Sequence, residues 1–115
     1  MSKFYSLLGI SKKAGKLAGG EVAVENAIRQ KTAELLILAE DASGNTKKKF
    51  KNSAAYYKIP LIEVGDKESL GSAIGEVFRA ILAVTDKGFA KKLVALAQEE
   101  KIVDEKRKNE ESFGK

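Results

Sequence analysis

The chain has 115 residues, 43% of them hydrophobic and only one a proline, enough for a single domain that buries roughly two-thirds of the surface its unfolded form exposes. It contains no cysteine and no histidine, which excludes disulfides, thiolate nucleophiles, the usual zinc ligands and the one side chain that ordinarily titrates near neutrality, so neither a metal nor another cofactor is expected. The net charge of +5 is unevenly spread: residues 1–53 carry ten Lys or Arg against five acids, residues 54–98 six against five, and residues 99–115 five against six, so the first half is the part suited to a polyanion.

In chain order, Phe4, Leu7, Leu8 and Ser11 recur at helical spacing and predict a helix over residues 3–14, ended by Gly15. Lys12, Lys13 and Lys16 crowd its end, where cations suit the helix dipole and would equally suit a phosphate. Residues 16–18 read as a short edge strand before Gly19-Gly20. A second helix opens after Gly20 and runs to about Lys31, with Val24, Ala27 and Ile28 as its buried stripe. The run 34–39, continuously apolar after Glu34, is the best candidate for a central strand covered on both faces, and it ends at Glu40-Asp41. After the turn 42–45, with Ser43 as a candidate cap, Thr46, Phe50, Ala54 and Tyr57 line one face of a helix whose other faces carry Lys47, Lys48, Lys49 and Lys51. Pro60 suits the start of a strand over 61–64, and Asp66 reads as the N-cap of a helix buried through Leu70, Ala73 and Ile74. Residues 80–85 predict another strand, followed by a helix with Phe89, Leu93 and Leu96 on one side. The alternation of helix and strand implies an α/β domain over residues 1–98, and the charged segment 99–115 reads as a frayed helix or a disordered tail. No apolar run exceeds five residues, against the ~20 a membrane helix needs. A cytoplasmic protein with no membrane partner is expected.

Three features invite chemistry. The run Gly15-Lys16-Leu17-Ala18-Gly19-Gly20 departs from a Walker loop, which needs Ser or Thr where Leu17 stands. Its glycines either serve a turn that needs positive φ or let an RNA backbone approach the following helix N-terminus closely. Glu40 and Asp41 lie just past a strand, but strand neighbours point to opposite faces, which favours loop ordering over acid–base catalysis. The lysines at 47–51 form a solvated helix face whose adjacency to the loop 40–45 permits an electrostatic contact. Any enzyme here would have to work with carboxylates and lysines alone, and none is expected.

Taken together, the basic helix, the glycine turn, the apolar strand running into Glu40-Asp41 and the run Leu70-Gly71-Ser72-Ala73-Ile74-Gly75 resemble the kink-turn-binding ribosomal protein family, often called L-seven-Ae. Leu38-Ala39-Glu40-Asp41-Ala42-Ser43, Asn45-Thr46-Lys47-Lys48-Lys49 and the segment Val84-Thr85-Asp86-Lys87-Gly88-Phe89-Ala90-Lys91-Lys92-Leu93 are more closely similar to its bacterial YlxQ branch, over about residues 3–96. The resemblance implies a three-layer α-β-α sandwich around a mixed, roughly four-stranded sheet. It further implies a monomeric, non-enzymatic protein that binds structured RNA, with the ribosome or its assembly factors as further partners. In the family a helix N-terminus enters the RNA groove at the kink and reads the guanines of sheared G·A pairs, while a neighbouring apolar loop covers an extruded nucleotide.

Carried over by resemblance, the family's glycine falls on Gly20 and the next position on Glu21. Its guanine-reading Asn and Glu fall on Val22 and Ala23, and its Lys on Asn26. Two of these three readers have lost their polar groups. Asn26 and Arg29, sharing an exposed face with Val22 and helped by Glu21 and Lys16, are expected as a substitute reading set. The covering loop falls on residues 75–80, where Val77 and Phe78 are the apolar members and Arg79 a phosphate ligand; Phe78 either stacks on a base or folds back onto the core. Lys16, Gly19, Gly20, Glu21, Val22, Asn26, Arg29, Glu40, Lys47, Lys48, Val77, Phe78 and Arg79 make up the expected RNA surface. The competing reading is a protein-interaction or ribosome-assembly module that keeps the fold without kink-turn specificity.

Overall fold

A computed structural model of the chain describes residues 2–113, with side chains for residues 2–100. Its elements are α1 (Lys3–Lys13), β1 (Leu17–Gly19), α2 (Glu21–Arg29), β2 (Leu35–Leu38), α3 (Gly44–Tyr57), β3 (Leu61–Glu63), α4 (Lys67–Ala73), β4 (Ile81–Val84) and α5 (Lys87–Phe113). The strands form one sheet in the order β1-β4-β2-β3. β4 runs antiparallel to both neighbours, with Leu17 opposite Val84 on one side and Leu36 opposite Ala83 on the other, while β2 and β3 are parallel. Every residue of β2 and β4 is buried, because helices cover both faces of the sheet. That coverage is why these two segments read as uninterrupted apolar runs.

On one face lie α2 and α3, tied to each other by Lys49 of α3, which bridges Glu21 and Glu25 of α2. On the other, α1 packs against α4 and α5, and Ser2 at the start of α1 reaches Glu100 of α5. The result is a three-layer α-β-α sandwich with a mixed four-stranded sheet, centred on Phe4, Leu8, Val24, Phe50, Leu70 and Leu93 between sheet and helices.

Local chemistry sets the boundaries. Ser43 accepts from Thr46 N at 3.2 Å and Asp66 from Ser69 N at 2.7 Å, so α3 starts at Gly44, two residues before Thr46, and α4 starts where its cap predicts. α2 stops at Arg29 rather than Lys31, since Lys31 turns left-handed at φ 61° and Thr32 N returns to the Ala27 carbonyl. β1 runs one residue later than expected, because its ladder with β4 starts at Leu17 and takes in Gly19. In α5 the buried stripe is Ala90, Leu93 and Ala97, with Phe89 and Leu96 half-buried beside it. α5 continues through Phe113; the side chains of the charged segment from residue 101 on lie outside the described residues. Among the described residues no helix is long and apolar enough to cross a membrane, and no cluster of acids could hold a metal ion.

Candidate functional site

The ends of β1, β2 and β3 and the beginning of β4 lie at one end of the sheet, and the glycines there decide how closely segments approach. Gly20 sits at φ 95°, ψ 159°, a conformation open to glycine alone, and its N–H donates to the Ile81 carbonyl at 3.1 Å. The chain thereby turns straight from β1 into α2. No side chain caps α2, so its first turn presents backbone N–H groups and the positive end of its dipole to solvent.

The 75–80 segment lies against this turn. Gly75, at φ 77°, ends α4, and Glu76 N returns to the Gly71 carbonyl at 2.8 Å. A Cβ on Gly71 would stand 2.3 Å from the Val77 carbonyl oxygen, so the loop backbone rests directly on α4 at a position where only glycine fits. Glu76 lies beside Gly19, while the Arg79 side chain runs alongside Gly20, 3.7 Å from where its Cβ would be. Glu76 Oε1 and Arg79 Nε approach to 2.6 Å without the N–H pointing at the oxygen, a charge contact rather than an aligned hydrogen bond. Arg79 Nη1 also donates to the Phe78 carbonyl at 2.7 Å. The guanidinium is therefore fixed beside the α2 N-terminus, with Val77 and Phe78 next to it exposed at 72% and 57%. Phe78 does not fold back onto the core.

On α2 itself, Val22, Asn26 and Arg29 share an exposed face, and Val22 is 75% exposed. Arg29 Nη2 donates to Asn26 Oδ1 at 2.8 Å, orienting both side chains along the helix. Asn26 lines a shallow groove of about 280 Å³ with Gly15, Ala23 and Thr85. Lys16, exposed at the far end of β1 from Gly20, lies beside that groove, its carbonyl accepting from Thr85 N. Glu21 does not stand free: Lys49 pairs with it at 3.4 Å and more closely with Glu25, holding the Glu25 carboxyl below the usual glutamate range and raising the lysine.

The other expected positions lie apart. Lys47 and Lys51 both pair with Glu63, at 2.9 and 3.0 Å, and together depress its pKa, so these lysines face β3. Lys48 is exposed and has no ion-pair partner among the described residues. Glu40 lies beyond β4 from Gly20 and, with Asp66 and Glu100, adds to the burial that raises the Tyr5 hydroxyl, an effect partly offset by a hydrogen bond with Ser69. Asp41 accepts from Lys67 N at 2.8 Å, a loop-ordering bond. Sequence reading did not single out Gly71 or Lys49 as parts of this end, nor the contact of Glu76 with Arg79 within the covering loop. A glycine inside a helical pattern was the available signal for Gly71, and the i, i+3 spacing was the signal for the Glu76–Arg79 pair.

Residues 2–94 match the model of the ribosomal protein L7Ae/L30e/S12e/Gadd45 family. The chain is 44% identical to the RNA-binding protein YlxQ of Bacillus subtilis over 94 residues, 82% of this chain and 94% of that one. It is 38% identical to the RNA-binding protein YlxQ of Enterococcus faecium over 96 residues, 84% and 92% of the two chains. A solved Bacillus halodurans protein of unknown function superposes with a TM-score of 0.81 at 40% identity, over 85% of this chain and 99% of that one. A Giardia lamblia 15.5kD RNA binding protein shares the fold at 17% identity, with a TM-score of 0.68 over 83% and 84% of the two chains. The chain belongs to the ribosomal protein L7Ae/L30e/S12e/Gadd45 family.

Proposed function

We propose that this chain is a non-enzymatic, cytoplasmic RNA-binding protein whose residues 1–98 recognise kink-turn-like RNA, ribosomal or other, as a monomer. The observation that carries the reading is the convergence of the uncapped α2 N-terminus, the Arg79 guanidinium beside Gly20 and the exposed Val77-Phe78 pair on one end of the sheet. Backbone N–H groups and a fixed cation suit phosphates at a bend, and an exposed aromatic beside them suits a base turned out of the stack. Both curated relatives carry RNA binding in their names.

The reading of bases falls to Asn26 and Arg29, because Val22 and Ala23 offer no polar side chain. Their mutual hydrogen bond leaves the Asn26 amide nitrogen and the remaining Arg29 donors available for guanine acceptors. Glu21, paired with Lys49, helps this reading set from the first turn of α2.

The test is binding to a kink-turn RNA and to a control duplex with its G·A pairs replaced, each at two salt concentrations. The expected result is preference for the kink-turn, with affinity falling as salt rises, since phosphate contacts release counterions. Equal affinity for both RNAs would remove the kink-turn specificity. The exposed Val22, Val77 and Phe78 favour one competing reading, an apolar interface with a protein of the ribosome or its assembly, and absence of binding to either RNA would select it.

A further inference from the structure

At the opposite end of the sheet, where α3 ends and α5 begins, Tyr56 is 81% exposed and Tyr57 44%. Their rings meet edge to face with centroids 4.9 Å apart, which leaves ring faces open to solvent. Both tyrosines line an open groove of about 490 Å³ together with Lys31 and Lys58. Lys31 and Lys58 each adopt a left-handed backbone, at φ 61° and 58°, ending α2 and α3 side by side. A second groove of about 450 Å³ shares Glu34 and Pro60 with the first and is bordered by Lys87 and Lys91 of α5.

None of these four lysines has an ion-pair partner among the described residues, in contrast to Lys47, Lys49 and Lys51 farther up α3. The surface thus combines exposed aromatic faces, unneutralised cations and grooves of a size that takes small planar ligands. Apolar protein partners would not need four cations around one acid, Glu34. A single nucleic-acid strand needs both features, because its bases stack on rings while its phosphates follow positive charge.

We infer that this end of the molecule is a second nucleic-acid site, which takes unpaired nucleotides extending from the RNA held at the α2 end. It rests on an RNA partner but not on kink-turn selectivity. α3 spans 14 residues, so the two sites stand about 20 Å apart, a distance that roughly six nucleotides bridge at the stacked spacing of about 3.4 Å each. Bases stack on Tyr56 and Tyr57, and Lys31, Lys58, Lys87 and Lys91 accompany the backbone.

The full chain has three tyrosines and no tryptophan, so tyrosine emission reports largely on this surface. Titration with single-stranded octauridylate is expected to quench that emission. The double variant Tyr56→Ala, Tyr57→Ala should bind octauridylate at least tenfold more weakly, and Lys91→Glu about threefold, while both keep wild-type affinity for a blunt kink-turn duplex. A kink-turn carrying a single-stranded extension should outbind the blunt one in the wild type and lose that advantage in the double variant. Both tyrosines are exposed, so a wild-type thermal melt certifies the fold. Unquenched emission, or equal octauridylate affinity of wild type and double variant, overturns the inference. Tyrosine-dependent octauridylate binding without kink-turn selectivity would remove the proposed function and leave this site standing.

Discussion

The two ends of the sheet are built by different means. At the α2 end, Gly71 lets backbone meet backbone, Gly20 turns the chain at positive φ beside the Arg79 side chain, and Glu76 holds Arg79 in place. At the α3 C-terminal end, two tyrosines that touch only edge to face and lysines with no ion-pair partner among the described residues project from helix termini. The lesson is that a count of lysines does not locate a polyanion site. The densest run, 47–51, is largely neutralised by Glu21, Glu25 and Glu63, while scattered lysines from three elements keep their charge. One end should therefore lose shape and stability together when altered, and the other only its contacts.

The sharpest break would come at Gly71. A methyl group there meets the Val77 carbonyl, so Gly71→Ala should cost about 3 kcal/mol by urea denaturation and displace the 75–80 loop, with loss of RNA affinity. Normal stability would mean that the loop does not rest on α4. Next, Phe78→Ala should leave the melting temperature unchanged yet lower affinity for a kink-turn with an extruded nucleotide by roughly thirtyfold, about 2 kcal/mol of stacking. Unaltered binding would exclude Phe78 as a base contact. Third, Asn26→Ala with Arg29→Ala should narrow the preference for kink-turn over control RNA about fivefold, roughly 1 kcal/mol, without changing stability. If the preference survives intact, α2 does not read bases through these two side chains.

The smallest effect concerns the Lys49 bridge. Because Lys49 depresses the Glu25 pKa in the folded state, the stabilisation is complete above the usual glutamate value of about 4.3 and is lost as pH falls through the lower folded value. Stability curves of wild type and Glu25→Gln should run parallel from neutrality to about pH 5 and converge in stronger acid. Curves that remain parallel in acid would show that the bridge contributes nothing measurable.

Much of the fold was legible because its signals are local. Buried strands 35–38 and 81–84 announce themselves as apolar runs, and Ser43 and Asp66 each cap a helix through a contact three residues ahead. Strand order was not readable, since nothing local says that β4 inserts between β1 and β2. In the candidate site, the exposed face of Val22, Asn26 and Arg29 followed from helical spacing alone. The pairing of Lys49 with Glu21, 28 positions away, and the position of Arg79 beside Gly20 arise from packing between distant segments. Tyr57 was read as part of one helix face because it continues the spacing of Phe50 and Ala54, and Tyr56 was not singled out, yet α3 outlasts the layer it covers and its last turn reaches solvent.

The strand order also fixes when the molecule can come into being. β1, near the start of the chain, has β4 as its one neighbour in the sheet among the described residues, and β4 begins at Ile81. A growing polypeptide that has not yet reached Val84 can pair β2 with β3 but has nowhere to dock β1, so the glycine turn at 19–20 waits on a segment made some sixty residues later. Chain synthesis thus separates a helix-covered parallel pair, available early, from an end whose geometry forms only as the sheet closes. A nascent fragment that stops short of β4 displays the lysines of the first half without the architecture that would give them selectivity.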